Sequence, residues 1–593
     1  MWLITFILLL ILPGTCFSEP FSLERIVVKN ESNRASGGIS RKDLEGSGIL
    51  AFSEELDNIA GLDLRTRGAV GMQSDISLRG STFEQVAVLL DGLKINDPQS
   101  GHYNLDIPLT PADIEKIEVT KEGATSLYGS GAFAGSVNII TRKADTRKFS
   151  LSSAFGEHAL FSEGLSLSLP HKEYFGRFSY AHKSSNGGTS NTDFDSSTTS
   201  LFLGKDEGGL GLNTLLSFQK NDFGADSFYS NLFPAEEEHT RTLLFKTGLS
   251  VKKEDGSCEN SLYLRRHEDK FILDRNNPVS VNYHTTYVYG LNSDFAFPLR
   301  AGDLSLGLSL TEEEINSTNL GKHSRLQEGL KAGLLPDFGE RFNVNINSRV
   351  DNFRKWGLQP SWNIGLGYLL NNMLQVKSSL AYAFRLPSFT ELYYSDAGNQ
   401  GNPGLGIEES ENAGLGIALR QEQVDLSIDF FYRRGRNLID WTRASSNERW
   451  QATNLGRTDI RGIEFSSGFY PAFHLKGVTL DKLSFSYAHN TLVREETGFL
   501  SKYALDILRD HLVMDIDSSF WGNKLSWELS YNQRHYGETY FVGNLCISRK
   551  VIRRSFSFEP FLRIDNFSNT EYSEVGGVLQ PGRWVKSGLR FEW

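Results

Sequence analysis

The stretch YGSGAFAGSVNI, Tyr128 to Ile139, carries glycines at 129, 131 and 135, a spacing that a phosphate-binding turn would use. A nucleotide cradle needs a strand, a glycine turn and then a helix whose N-terminal amides receive the phosphate. Here the glycines are followed by SVNIITRK, a β-branched, strand-like run, and KEGATSLYGS intervenes after the preceding strand-like IEKIEVT. No GKS or GKT supplies a phosphate lysine. The glycines therefore read as a tight turn between strands, where backbones approach too closely for a side chain. Glu115, Glu118 and Arg142 could serve acid–base chemistry, but exposed charges on a small domain are usually solvation. Arg79 in LRGS and Asp91 in LLDG stand at a strand end and a turn, where a structural ion pair accounts for them. No G-x-S-x-G, H-E-x-x-H or clustered Cys/His spacing occurs, so nothing points to an enzyme or to a cofactor required for chemistry.

The elements that hold these residues fall into two textures. From Glu19 to Lys143 the chain is mixed: VAVLLDGLKI (86–95) and IEKIEVT (114–120) predict strands, and ILAFSEELDNIAG (49–61) predicts a short amphipathic helix closed by glycine. Beyond Lys143 short alternating runs dominate. In LQVKSSLAYAF, Leu374, Val376, Leu380, Tyr382 and Phe384 share one face; in DLSIDFFY, Leu426, Ile428, Phe430 and Tyr432 oppose Asp425, Ser427 and Asp429. A secreted multidomain β-protein would also alternate, but this pattern continues to Trp593 without resolving into domains. A transmembrane barrel closes every strand edge, as a membrane requires. At 9–11 residues per crossing, or roughly 20 with connections, the region accommodates about 22 strands around a lumen wide enough to be plugged.

Composition agrees. The 593 residues hold 21 Tyr, 40 Phe, 9 Trp and 56 Gly, as many strands and corners require. A net charge of -11 without a basic stripe argues against nucleic acid as a partner. The apolar run Leu3 to Leu12 has the length of a secretory leader, with cleavage expected after Ser18. Basic residues before the run are lacking, and a buried N-terminal helix is the alternative.

In order and spacing, DISLRG (75–80), VAVLLDGLKINDP (86–98) and the stretch 107–143 resemble the plug of TonB-dependent outer-membrane receptors. AFRLPSFTELYY (383–394), GNPGLGIEES (401–410), NLGRTDIRGIEF (454–465), LRIDNFSNTEY (562–572) and QPGRWVKSGLRFEW (580–593) resemble segments of the same family's barrel. Two departures stand out: Lys121-Glu122-Gly123-Ala124 replaces an arginine-glycine-proline step, and the last residue is Trp593 where phenylalanine is common. The resemblance implies a transmembrane β-barrel of about 22 antiparallel strands with an N-terminal α+β plug in its lumen. It divides the chain into a signal peptide (1–18), an N-terminal segment (19–34), a plug (35–143) and a barrel (144–593).

Within the second segment ERIVVKN resembles the TonB box, so that Arg25, Ile26, Val27, Val28 and Lys29 would contact TonB and its inner-membrane energising complex by adding an edge strand. The implied activity is active uptake of a scarce substrate by a monomeric barrel set in outer-membrane lipid and lipopolysaccharide. Likeness to the cobalamin-receptor group makes cobalamin the first expected substrate and a ferric siderophore or haem the alternative; a non-transport adhesin or passive porin is a third reading. Asn96, Asp97, Gln99, Ser100, His102 and Tyr103 form the expected substrate-binding plug apex, with His102 read as a hydrogen-bonding residue. The loop-like stretches 184–197 and 219–242 resemble acidic loops of that group that hold calcium, which places Asp193, Asp195, Asp222 and Asp226 as oxygen ligands. They lack EF-hand spacing, so a calcium site would be assembled between loops, and solvated acidic loops are the plainer alternative.

Overall fold

A computed structural model describes residues 38–593 apart from 46–47, 69, 71, 230–231, 472, 476 and 495–497. The leader and Arg25–Lys29 lie outside the described residues. From Lys148–Gly156 to Trp584–Glu592, 22 antiparallel spanning strands close into a barrel. The seam is the antiparallel pairing of the last strand with the first, Lys586 opposite Gly156 through Glu592 opposite Ser150. Phe149 and Trp593 exchange both backbone hydrogen bonds, so the terminal aromatic completes the ladder.

The wall is inside-out relative to a soluble protein. On Val424–Arg436 the outward Ile428 and Phe430 are 39% and 50% exposed, whereas Asp425, Ser427 and Arg433 are buried toward the lumen. Leu380 is likewise outward at 52% with Ala381 and Ala383 inward. Lipid solvates the first set and the inner domain covers the second, so period-two alternation satisfies both surroundings. Phe384 departs from the one-face expectation. It is fully buried with Phe353 and Leu386, because the strand there has reached the rim and its connecting loop folds over it.

Connections at the end holding Lys148 and Trp593 are short, such as 172–173, 208–209, 254–255 and 300–301. At the opposite end they lengthen to 225–236, 386–407, 437–456, 495–507 and 566–583. In barrels of this kind the long loops are extracellular.

The lumen holds a five-stranded sheet in the order Ile39–Ser40, Ile114–Thr120, Gly135–Thr141, Val86–Leu90, Leu93–Lys94, beside a two-stranded sheet of Leu62–Arg67 and Gln73–Leu78. Asp91 and Gly92, both at positive φ, make the tight turn of its short hairpin. The expected helix at 49–61 is a 3-10 helix, Phe52–Asn58, started by Glu54, whose carboxylate accepts from the amides of Leu50 and Ala51. Leu56, Leu62, Ile76, Leu78, Val86, Val88, Ile114, Ile117, Val137 and Ile139 form its core.

Candidate functional site

The glycine loop has no phosphate geometry. A one-turn helix, Thr125–Tyr128, precedes the glycines and the strand Gly135–Thr141 follows them. A Cβ on Gly129 would stand 2.7 Å from the Gln327 amide nitrogen, and one on Gly135 2.0 Å from the Thr120 carbonyl. The turn is where the inner domain packs against itself and against the wall.

Ion pairs fasten the inner domain to that wall. Arg79 donates to both Glu464 oxygens at 2.9 and 3.0 Å, and Lys121 reaches the same carboxylate at 3.2 Å. Asp63 receives Arg534 at 2.7 and 3.1 Å, and Asp113 receives Arg177 at 2.9 Å. Asp91 accepts from Lys246 at 2.5 Å and from Thr141. Arg79 and Asp91 thus have the structural role read from sequence, with partners that sequence did not supply.

The predicted apex comes together under the extracellular loops, and most of it is engaged with the wall. Asn96 bonds the backbone of Val86 and Val88. Asp97 accepts from Arg265, from the Thr286 hydroxyl at 3.0 Å and from the Gln99 amide. The Gln99 side-chain amide lies 3.3 Å from Asp269, and Ser100 caps the turn holding His102. His102 Nδ1 is 2.6 Å from Asp75, with its ring stacked on Phe83 at 4.3 Å. The Tyr103 hydroxyl donates to Asp269 at 2.8 Å. Sequence reasoning missed the wall residues Arg265, Glu238 and Asp269 and the loop residue Tyr229. The only local signal of the three wall residues was a polar side chain on the lumen-facing parity of a strand, and Tyr229 had none.

Three loops close the mouth above. Asn399–Gln400, Trp450–Asn454, Ile439–Arg443 and Leu500–Ser501 form one four-stranded sheet. Under it lie Leu392, Leu405, Ile439 and Trp441, flanked by Tyr393, Tyr394, Trp450 and Tyr503. The start of the helix Phe389–Tyr393 grips the apex: the amides of Phe389 and Thr390 donate to the carbonyls of Pro98 and Gln99 at 2.9 and 3.0 Å. Two cavities between inner domain and wall, of about 120 and 190 Å³, fall below the roughly 300 Å³ of an ordinary ligand site.

The four acidic candidates gather at the rim, Asp195 directly opposite Asp222 on neighbouring strands. Asp193 is bound by Arg275 at 2.5 Å, Asp195 by His182 at 3.2 Å, Asp222 by Lys220 and by His239 at 2.7 Å, and Asp226 accepts from Ser227. Among the described residues no group of three or more His, Cys, Asp or Glu side chains is arranged to hold a metal. Arg275 and Lys220 neutralise Asp193 and Asp222, and His182 stands within hydrogen-bond distance of Asp195.

Several acids here hold protons to unusual pH. Burial, reinforced by Glu574, raises Asp57 to about 8; burial and then Glu391 raise Glu84 to about 8; burial raises Asp106 to about 7 and Glu236 to about 8. Asp75 goes the other way: burial opposes its charge, but Arg67 and His102 outweigh that and hold it at about 2. Burial lowers His102, so its contribution is complete above the unfolded value of about 6.5. The raised acids stabilise the fold fully below about pH 4, and that contribution is lost as pH climbs through their folded values. Between about pH 6.5 and about pH 9 the expected outcome is a looser apex, read as falling amide-exchange protection over residues 83–106. Constant protection would contradict it.

The sequence matches the family model described as TonB-dependent Receptor Plug Domain over residues 28–136 and the one described as TonB dependent receptor-like, beta-barrel over 124–553. Among curated proteins it is similar to the vitamin B12 transporter BtuB of Vibrio vulnificus (strain YJ016), 23% identical over 460 residues, 73% of this chain and 72% of the relative. The BtuB of Vibrio cholerae serotype O1 (strain M66-2) is 22% identical over 591 residues, 93% and 92% of the two chains. Among solved structures, the siderophore receptor PirA from Acinetobacter baumannii superposes with a TM-score of 0.77 at 15% identity, covering 94% and 98% of the two chains. The FrpB iron transporter from Neisseria meningitidis (F5-1 variant) gives 0.78 at 15%, covering 94% and 100%. At these identities the structural likeness is one of fold.

Proposed function

The chain belongs to the TonB-dependent receptor family, and from that premise we propose that it imports an organic metal chelate across the outer membrane. Membership makes it a non-catalytic, multi-pass outer-membrane transporter of the Gram-negative type, working with TonB through plug rearrangement. One observation carries the chelate reading: the polar apex at 96–103 lies buried between the wall and a lid drawn from three loops. Such a site fills from outside and empties inward only when energy moves the plug.

An iron chelate, a ferric siderophore or haem, is the first reading of the cargo, supported by the siderophore and iron receptors that share the fold. Cobalamin is the second, supported by the names of the curated relatives. Calcium on Asp193, Asp195, Asp222 and Asp226 would act only by displacing Arg275, His182, Lys220 and His239. The test is uptake of radiolabelled ferric chelates and of cobalamin by cells carrying the intact receptor or one lacking residues 25–29. Deletion is expected to abolish accumulation while leaving surface binding intact; accumulation unchanged by deletion would refute energised import.

A further inference from the structure

At the apex the side chains Gln73, Gln99, Glu238 and Asp269 converge from the plug and two adjacent wall strands. Glu238 lies on Glu237–Lys253 and Asp269 on Gly256–Ile272, where Glu238 opposes Phe271 and Thr240 opposes Asp269. The two carboxylates are therefore diagonal neighbours on the lumen face. Tyr229 donates its hydroxyl to Glu238 at 2.9 Å and accepts from the Gln73 amide at 2.7 Å. Tyr103 and the Gln99 amide both serve one Asp269 oxygen.

What remains is one-sided. Gln73 Oε1, Gln99 Oε1, Glu238 Oε1 and Asp269 Oδ1 are all buried and, among the described residues, have no hydrogen-bond partner. Their residues are 2%, 5%, 0% and 3% exposed, so bulk water does not satisfy them. Buried acceptors left without donors are unfavourable, which makes this cluster complementary to a ligand that brings donors.

The surrounding titratable groups are mostly acids. Arg67 is paired with Asp75 and Arg265 with Asp97, leaving Arg67 Nε as an unpartnered donor nearby. Among the described residues Glu238, Asp269, Glu236 and Asp106 have no lysine or arginine in ion-pair contact, and His284 stands 4.0 Å from Asp269. Burial holds protons on Glu236 and Asp106. A cationic cargo would draw such acids into their charged forms, whereas a polyanion would keep them neutral and set oxygen lone pairs against oxygen lone pairs in a water-poor space.

Resting on the chelate reading above, we propose that the cargo has zero or positive net charge and places N–H donors on Gln73, Gln99, Glu238 and Asp269, and that polyanionic chelates are rejected there. Tyr229 and the loop 386–407 cover the cradle, so the cargo enters as these move and is then enclosed.

The test uses purified full-length receptor in detergent and calorimetric titration with five probes. These are a monocationic ferric trihydroxamate (ferrioxamine B), a neutral one (ferrichrome), neutral cyanocobalamin, a trianionic ferric tris-catecholate (ferric enterobactin) and haem. At least one cationic or neutral probe is expected to bind at least roughly tenfold more tightly than both anionic ones. The isosteric double variant E238Q/D269N, checked for heat-modifiable migration as a folded barrel, should narrow that preference to about threefold or less. Equal or tighter binding of an anionic probe, or a preference unchanged in the variant, overturns the charge assignment and leaves chelate import standing. Failure of all five to bind overturns both.

Discussion

Glu464→Ala is expected to release the plug from the wall while leaving the barrel intact. Glu464 lies on the wall strand Arg457–Phe469 and is buried, and its two oxygens neutralise both Arg79 and Lys121. Gly61 makes room for it: a Cβ there would fall 2.0 Å from a carboxylate oxygen. Arg433, also buried, already sits against the carbonyls of Leu78 and Arg79. Truncation therefore leaves two cations without their carboxylate beside a third, a loss of about 3–5 kcal/mol for a broken buried pair. Exchange protection should fall across Leu62–Leu78 and Ile114–Thr120 and persist in the wall strands. Cells should become sensitive to large hydrophilic antibiotics. Glu464→Gln, which keeps the shape and loses the charge, is expected to fall between. Unchanged plug protection in the alanine variant would show that the pair does not hold the plug.

Gly135→Ala should prevent the inner sheet from closing. Gly135 has φ 147° and starts the strand that joins the two halves of that sheet, parallel to Val86–Leu90 and antiparallel to Ile114–Thr120. An added Cβ would fall 2.0 Å from the Thr120 carbonyl oxygen and 2.8 Å from Cδ1 of the buried Leu78. Backbone on one side and packed leucine on the other leave no cheap relaxation, so the destabilisation should be about 3 kcal/mol or more. Gly131→Ala is the control. Its site is open, so only the positive φ opposes the substitution, at about 1–2 kcal/mol. Protease nicking of the plug in folded barrels measures both; equal resistance in the two variants would contradict the packing role.

Both predictions come from contacts that the sequence could not list, yet much of the frame was legible in it. IEKIEVT is the strand Ile114–Thr120 residue for residue, and LLDG is the turn of a hairpin. The alternation in DLSIDFFY assigned its lipid and lumen faces correctly for Ile428, Phe430, Asp425 and Ser427. These features are local: strand period, turn chemistry and the need to satisfy every backbone group in a membrane act within a few residues. The glycines of YGSGAFAGSVNI could likewise be recognised as packing residues, because a strand and no helix followed them.

Tertiary structure alone decided the partners. Arg79 meets Glu464 across 385 positions and Tyr103 meets Asp269 across 166, separations at which no periodicity links one residue to another. It also decided which polar residues have bonding capacity left. Asn96 and Asp97, chosen for the apex by type, are engaged with the plug backbone and with Arg265, whereas Gln99 keeps an acceptor. Asp193, Asp195 and Asp222 carry the oxygens calcium favours, but the loop after Ile272 brings Arg275 to Asp193 and adjacent strands bring His182 to Asp195 and His239 to Asp222. A residue's type sets what it can bind; the fold sets what is left for it to bind, because burial drives most polar atoms to settle with the partners that the closed barrel puts within reach and leaves the rest without water to replace them.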